Sequence, residues 1–137
     1  MGCAVSTGVT PDELRDRLLK FAVAVSQFTA PFLESARWRS AADQFSRAAA
    51  GAMSNYRAAG RARSHVEFTS KISLALEEID EAQGWLKYLT GCGAIGPPDR
   101  ERFDALVQEC SELTAILTAA VATARRRDTA DKSRRRQ

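Results

Sequence analysis

Four segments of this 137-residue chain carry apolar side chains at alternating spacings of four and three residues. This spacing places the apolar side chains along one face of an α-helix, and that face must be buried for the helix to be stable in water. Two of the segments start with a capping hydroxyl, Thr10 or Ser64, followed three residues later by a glutamate. The pattern therefore predicts four amphipathic helices joined by short connections, with no strand signal between them.

Breaker and turn residues set the expected helix boundaries. Pro31 bends or ends the first helix, Gly91 stops the third, and the segment from Gly91 to Pro98 is a loop by composition. The predicted helices cover residues 11–31, 35–62, 65–91 and 99–126. We therefore expect an all-α, antiparallel up-down-up-down bundle over residues 11–126, with a flexible N-terminus at 1–10 and a disordered basic tail at 127–137.

The predicted core consists of the apolar stripes of these four helices. A small-residue run around Gly51 in the second helix predicts a close approach by a neighbouring helix backbone. The residues expected to be buried are Leu14, Leu18, Phe21, Val25, Phe28, Phe32, Trp38, Ala42, Phe45, Ala49, Ala52, Tyr56, Ala59, Phe68, Ile72, Ala75, Ile79, Ala82, Leu86, Leu89, Phe103, Leu106, Cys110, Leu113, Leu117, Ala120 and Ala124.

The composition is that of a globular protein, with 45% hydrophobic and 27% charged residues. No uninterrupted apolar run reaches the roughly 18 residues that would span a bilayer, so we expect no membrane association. The chain has 3 cysteines and no CxxC pair, an arrangement that argues against a closed disulfide framework. We therefore expect a reducing, cytoplasmic setting.

The net charge of +3 is distributed unevenly along the chain. Residues 36–71 and residues 125–137 each hold seven basic and two acidic side chains, whereas residues 72–124 hold three basic and nine acidic ones. Clustered guanidinium groups release counterions from nucleic acid, so the basic side chains are candidate nucleic-acid contacts. The alternative interpretations are a solvated face and a face paired with the acidic helices 3 and 4 of the same subunit. The candidates are Arg37, Arg39, Arg47, Arg57, Arg61, Arg63, Lys71, Arg125, Arg126 and Arg127.

Catalytic and metal-binding patterns are absent from the sequence. The chain has 1 histidine, His65, so sites built on several histidines are ruled out, and we expect no metal, cofactor or catalytic residue. The nearest enzyme signature is Arg61 with His65, which resembles the arginine–histidine motif of HEPN ribonucleases. The spacing is wrong, because that motif places four to six residues between the two side chains and here three intervene.

A more specific order of residues runs from Asn55 onward. It resembles the bacterial four-helix bundle family first named for proteins encoded within 23S rRNA intervening sequences, over roughly Leu14 to Ala120. The residues that carry the resemblance are Asn55-Tyr56-Arg57, Ala62-Arg63-Ser64, Glu67-Phe68, Lys71, Ala75, Glu78 and Trp85-Leu86.

The resemblance has functional implications. The fold is also similar to the accessory variability protein of diversity-generating retroelements, a homopentamer that binds a reverse transcriptase and nucleic acid. The resemblance implies a non-enzymatic, oligomeric protein, with a pentamer favoured. It also implies contact with RNA, DNA or a nucleic-acid-processing partner such as a reverse transcriptase. The alternatives are a protein–protein adaptor without nucleic-acid affinity and an atypical HEPN-like ribonuclease. We expect a structural role for the polar side chains at the junction of helices 2 and 3, where free helix-end groups need partners: Asn55, Tyr56, Ser64, Glu67 and Lys71.

Overall fold

Four α-helices make up most of the computed structural model, which describes residues 8–137. Each helix packs against the next along the chain, and α1 also packs against α4, which closes the bundle. The described residues contain no strand, and the prediction of an all-α four-helix bundle is confirmed. The helices are α1 (Pro11–Thr29), α2 (Arg39–Ala59), α3 (His65–Gly91) and α4 (Arg100–Arg135), with 3₁₀ turns at Ala30–Glu34 and Pro97–Asp99.

The buried core follows the predicted stripes closely. Phe45, Phe103 and Ile79 are among its largest side chains, and each is at most 1% exposed. Four predicted members are only partly buried: Phe32, Trp38, Phe68 and Ala120. The three aromatic ones lie at or just beyond the ends of helices, where fewer neighbours cover a side chain than in the middle of the bundle.

The start of α1 is the clearest case of local sequence fixing a boundary. The hydroxyl of Thr10 accepts a hydrogen bond from the backbone N–H of Glu13, and the carboxylate of Glu13 accepts one from the backbone N–H of Thr10. Pro11 occupies the first helical position, where its missing N–H costs nothing. At the other end, the α-helix stops at Thr29 and Pro31 lies in the following 3₁₀ turn.

The second helix is shorter than predicted at both ends. The backbone N–H groups of Trp38 and Arg39 both bond to the carbonyl of Ser35, which keeps residues 35–38 in a turn ahead of the helix. At the other end, the N–H of Arg61 bonds to the carbonyl of Ala58, and the chain turns away after Gly60. The helix therefore spans Arg39–Ala59 instead of residues 35–62.

The predicted disordered tail at residues 127–137 is not confirmed, because α4 continues without a break to Arg135. Its last buried apolar residue is Ala124, so the final turns extend past the core. Of the predicted flexible N-terminus, residues 1–7 lie outside the described range, Val9 packs against the core and Thr10 caps α1.

The small-residue surface of α2 lies opposite α3, but its role differs from the prediction. A Cβ added to Gly51 would lie 2.8 Å from Cδ of Glu78, so it is a side chain of α3 that occupies the space left by the glycine. That position raises the pKa of the Glu78 carboxyl, because burial and the nearby Glu81 and Glu77 disfavour the charged form.

Within the described residues, one segment, Pro97–Arg135, has a helix long and apolar enough to cross a membrane by length and composition alone. The core helix of a soluble protein passes the same test. Here the apolar residues of α4, including Phe103, Leu113 and Leu117, are buried against the other helices. The absence of membrane association stays a prediction.

Candidate nucleic-acid interface

The up-down topology divides the ten candidate arginine and lysine residues between different parts of the molecule. The α2–α3 junction and the last turns of α4 lie together at one end of the bundle, which we call the basic end. The connections at residues 30–38 and 92–99 lie at the other, which we call the loop end. Since α2 has 21 residues, the two ends are about 30 Å apart at 1.5 Å per residue.

Three of the candidates lie away from the basic end and already have partners. Arg37 stacks on Trp38, with 4.6 Å between its Cζ and the ring centroid. Nε of Arg39 donates to the carbonyl of Leu33 at 2.8 Å, which ties the start of α2 to the preceding turn. Arg47, on the surface of α2, pairs with Asp43 four residues earlier at 2.9 Å. The structure therefore does not bring these three side chains into one surface with the others.

Six candidates lie at the basic end, and all six are exposed. Arg57 is in the last turn of α2, and Arg61 and Arg63 lie in the connection to α3. Together with Arg125 they make no side-chain hydrogen bond or ion pair with any described residue. The other two are Arg126, whose Nη2 donates to Oγ1 of Thr123 at 3.2 Å, and Arg127.

His65 is the residue that joins the two halves of the basic end. It begins α3, and its Nε2 lies 3.1 Å from the carbonyl oxygen of Ala124 and 3.2 Å from Oδ1 of Asp128. Both neighbours are acceptors, so Nε2 carries the proton. The contact brings the start of α3 against the turn of α4 that carries Arg125, Arg126 and Arg127.

The position of His65 bears on the ribonuclease alternative. Its side chain is only 13% exposed, and its Nδ1 is buried without a hydrogen-bond partner. A general base must reach the proton that it removes. In this arrangement Nε2 donates its proton to α4 and Nδ1 is covered, so neither ring nitrogen is open to accept a proton.

The five polar residues expected to satisfy the α2–α3 junction divide into separate interactions. Ser64 caps α3 by accepting from the N–H of Glu67 at 3.1 Å. The carboxylate of Glu67 accepts from the N–H of Arg63 at 3.2 Å, one residue before the position that a capping box would use. These two bonds order the segment that carries Arg63.

The other three residues of that set act elsewhere. Asn55 donates from Nδ2 to the carbonyl of Gly51 at 3.0 Å, within its own helix. Tyr56 is buried, and its burial, together with the charges of Arg15 and Asp12 on α1, shifts its pKa upward on balance. Lys71 is partly buried on α3, two turns from the junction. The structure therefore does not assemble the five into a single cluster.

The described residues contain no candidate metal centre, and the buried thiol of Cys110 is unreactive. Among residues 8–137, no group of three or more His, Cys, Asp or Glu side chains is arranged to hold a metal ion. Burial raises the pKa of the Cys110 thiol to about 12, which leaves it protonated at neutral pH. Cys110 serves as a small core residue, and its Sγ contacts the carbonyl of Ile79 at 3.6 Å.

Sequence reasoning missed Asp128 as a component of this end. Asp128 lies in the tail that was predicted to be disordered, and no particular contact is expected for an acidic residue there. Its spacing of four from Ala124 was the available signal, because residues four apart lie on the same helix face. That signal has meaning only if α4 continues past its last apolar residue.

Comparison with known proteins places the chain in a family. The sequence matches the family described as 23S rRNA-intervening sequence protein over residues 13–119, and it has no significant match among curated proteins. A crystal structure of a Bacteroides thetaiotaomicron protein of unknown function, from the S23 ribosomal protein family, has a similar fold with a TM-score of 0.73 and 23% identity. The alignment covers 82% of this chain and 97% of that one. The chain therefore belongs to the family of 23S rRNA-intervening sequence proteins.

Proposed function

We propose that this protein is a non-enzymatic, oligomeric bundle that binds nucleic acid through its basic end. The observation that carries the proposal is the position of six exposed arginines, drawn from two distant parts of the chain, at one end of the bundle. Arg57, Arg61, Arg63 and Arg125 have no carboxylate partner among the described residues. Their charge is therefore available to an external anion.

Arginine at such a surface favours phosphate. The guanidinium group presents several N–H donors in a planar fork that matches a phosphate, and its binding releases condensed counterions. No aromatic side chains alternate with the arginines, so the expected binding is to the backbone of RNA or DNA, with little preference for sequence.

The binding half of the proposal is tested by neutralising one end at a time. The variant Arg57→Gln/Arg61→Gln/Arg63→Gln removes three charges from the basic end. The control Arg37→Gln/Lys87→Gln/Arg100→Gln removes the same number of charges at the loop end, including one from the last turns of α3. Fluorescence anisotropy with a labelled single-stranded RNA and a DNA duplex, from about 50 to 200 mM salt, gives affinity and salt dependence.

The basic-end variant should lose at least about tenfold in affinity at low salt, and its log–log salt slope should become shallower by about 2, since each phosphate contact contributes about 0.7 to 0.9. The control variant should keep the wild-type slope. Equal losses in the two variants would show that only net charge matters. No detectable binding by the wild-type protein at low salt would end the nucleic-acid half of the proposal and favour the adaptor.

The oligomeric half of the proposal is supported by an exposed apolar surface on α3. Leu74 is 40% exposed and Tyr88 is 51% exposed, and Trp85 packs edge-on against Tyr88 with 5.4 Å between ring centroids. Exposed apolar side chains along one helix are candidates for a contact between subunits. The acidic α3–α4 half and the basic residues of α2 also suit a heterologous contact that closes into a ring, with a pentamer favoured.

Sedimentation velocity tests this half of the proposal. Leu74→Glu should lower the sedimenting mass to that of a smaller assembly, because it places a charge in the α3 surface. Leu19→Glu is the matched control, since Leu19 on α1 has the same 40% exposure. A wild-type protein that sediments as a monomer, or two variants that behave alike, would remove oligomerisation through α3.

Two further outcomes separate the alternatives. The partner could be a nucleic-acid-processing protein, such as a reverse transcriptase, that is held through bound nucleic acid. Such a partner should co-purify with the protein before nuclease treatment and should be lost after it. An adaptor should retain its partner after nuclease treatment. For the ribonuclease alternative, any RNA cleavage by the wild-type protein that His65→Ala abolishes would establish it.

A further inference from the structure

The last turns of α4 are helical although little apolar contact holds them. Ala124 is the last buried residue, and from Arg125 to Arg135 the helix consists almost entirely of charged and small polar side chains. A short polar helix is marginal in water by itself, because few hydrogen bonds repay the cost of ordering its backbone. These turns extend a helix that is already formed, so a contact at the start of the segment would shift their helix–coil balance toward the helix.

The contact of His65 with α4 lies at the start of this segment. One N–H, on Nε2 of His65, lies near two acceptors one helical turn apart, the carbonyl of Ala124 at 3.1 Å and Oδ1 of Asp128 at 3.2 Å. The contact is shielded from water, since the two side chains are 13% and 17% exposed. It spans the turn that carries Arg125, Arg126 and Arg127.

We infer that Asp128 is a positioning residue of the nucleic-acid site, which holds the end of α4 against His65. With the contact formed, α4 stays helical past Ala124, and its three arginines keep a fixed position beside Arg57, Arg61 and Arg63 at the α2–α3 junction. This inference rests on the proposed function for its effect on binding, but its effect on the helix does not depend on any ligand.

Removal of Asp128 should change nucleic-acid affinity in the direction opposite to that expected from charge alone. A carboxylate within a phosphate-binding surface repels the ligand, so its removal should tighten binding if charge were the only factor. If Asp128 positions the arginines, its removal should weaken binding although the net charge becomes more positive. Asp131, three residues further along the same helix, provides the control because it has the same charge and no described contact with His65.

The experiment compares Asp128→Ala with Asp131→Ala in the full chain. Backbone Cα chemical shifts report the helicity of residues 125–135 without ligand, and anisotropy with the same labelled RNA reports affinity. We expect Asp128→Ala to reduce helicity after Ala124 and to weaken binding about three- to tenfold. Asp131→Ala should leave the helix intact, and its affinity should be unchanged or higher.

Substitution of the partner gives an independent check. His65→Ala should reproduce the effect of Asp128→Ala, whereas His65→Gln keeps an N–H donor and should restore part of the helicity. Unchanged chemical shifts in Asp128→Ala would overturn the inference, as would equal binding by the two aspartate variants. If the wild-type protein binds no nucleic acid, the proposed function fails, and the chemical shifts alone then decide whether Asp128 holds the helix.

Discussion

The two ends of the bundle use arginine in opposite ways. At the loop end, Arg39 donates to the carbonyl of Leu33 and Arg100 donates to the carbonyl of Ile95 at 3.3 Å. These bonds join each connection to the helix that follows it. At the basic end, Arg61 and Arg63 lie in a connection of similar kind, yet their guanidinium groups make no such bond within the described residues. The same residue type therefore stabilises one end and is left available at the other.

Aromatic side chains add a second difference between the two ends. The loop end contains Phe28 and Phe103, whose ring centroids are 5.9 Å apart, and the guanidinium group of Arg102 lies 5.4 Å from the centroid of Phe28. A cation over an aromatic face gains electrostatic attraction, which ties the arginine to the fold. Among the described residues, Arg57, Arg61, Arg63 and Arg125 of the basic end have no aromatic ring among their contacts. A basic residue is thus a better candidate for ligand binding where the fold offers it no ring, carbonyl or carboxylate.

Phe103→Ala, at the loop end, is expected to cause the largest loss of unfolding free energy. Phe103 is 1% exposed and packs against Phe28, so the substitution leaves a cavity at the loop end and should cost about 3–5 kcal/mol of unfolding free energy. Urea denaturation followed by circular dichroism measures the loss. A cost below about 1 kcal/mol would contradict the view that the loop end is anchored by its aromatic core.

The next effect concerns the hydroxyl that caps α3. Ser64→Ala removes the acceptor for the N–H of Glu67 and should cost about 1 kcal/mol in thermal or urea unfolding. Ser35→Ala is the matched control at the loop end, because Ser35 accepts from Trp38 and Arg39 through its backbone carbonyl, which the substitution keeps. That variant should stay within about 0.5 kcal/mol of the wild type. Equal costs would show that the side chain of Ser64 has no special role.

A pair of arginine substitutions tests the comparison itself. Arg102→Gln should cost about 0.5–1 kcal/mol, because it removes the cation over Phe28. Arg61→Gln should change unfolding free energy by less than about 0.5 kcal/mol and should weaken nucleic-acid binding instead. Urea unfolding gives the stability of both variants, and anisotropy gives their affinity for nucleic acid. If Arg61→Gln destabilises the fold as much as Arg102→Gln, the two ends do not differ.

The smallest effect is expected midway between the ends, where Glu78 lies over Gly51. Because the folded state raises the pKa of this carboxyl, folding favours its protonated form. Stability from this group is therefore highest at acidic pH and falls as pH rises from the ordinary glutamate value of about 4.3 through the raised one. Glu78→Gln should raise the Tm slightly at pH 7 and should lose that advantage near pH 4. An advantage that is equal at the two pH values would contradict this assignment.

The fold could be predicted from the sequence because local signals agreed with each other. The capping residues Thr10 and Ser64 precede the apolar stripes by the expected number of residues, so boundary and burial were predicted from independent evidence. The start of α2 could not be predicted in this way. Residues 35–38 carry no breaker, and only the two bonds to the carbonyl of Ser35 show that they form a turn.

The candidate site was predicted only in part. Charge counting identified all six arginines of the basic end, but it grouped them with Arg37, Arg39 and Arg47, since charge along a chain ignores the direction of each helix. Arg37 and Arg39 lie at the loop end, about the length of α2 from the basic end, and Arg47 lies partway along α2. The contact of Asp128 with His65 was out of reach, because composition after Ala124 predicts disorder and no periodic apolar signal indicates that α4 continues.

The overhang of α4 limits how much of a ligand one copy reaches. The helix extends about 16 Å beyond Ala124, at 1.5 Å per residue. Successive phosphates on one strand of a B-form duplex are spaced by about 3.4 Å along the axis, so this arm spans about five of them. Under the proposed function, a footprint that short would give weak attachment at cellular ionic strength. If the protein assembles as proposed, firm attachment would come from several arms on one polymer, and the spacing of the arms in the assembly would set their combined avidity.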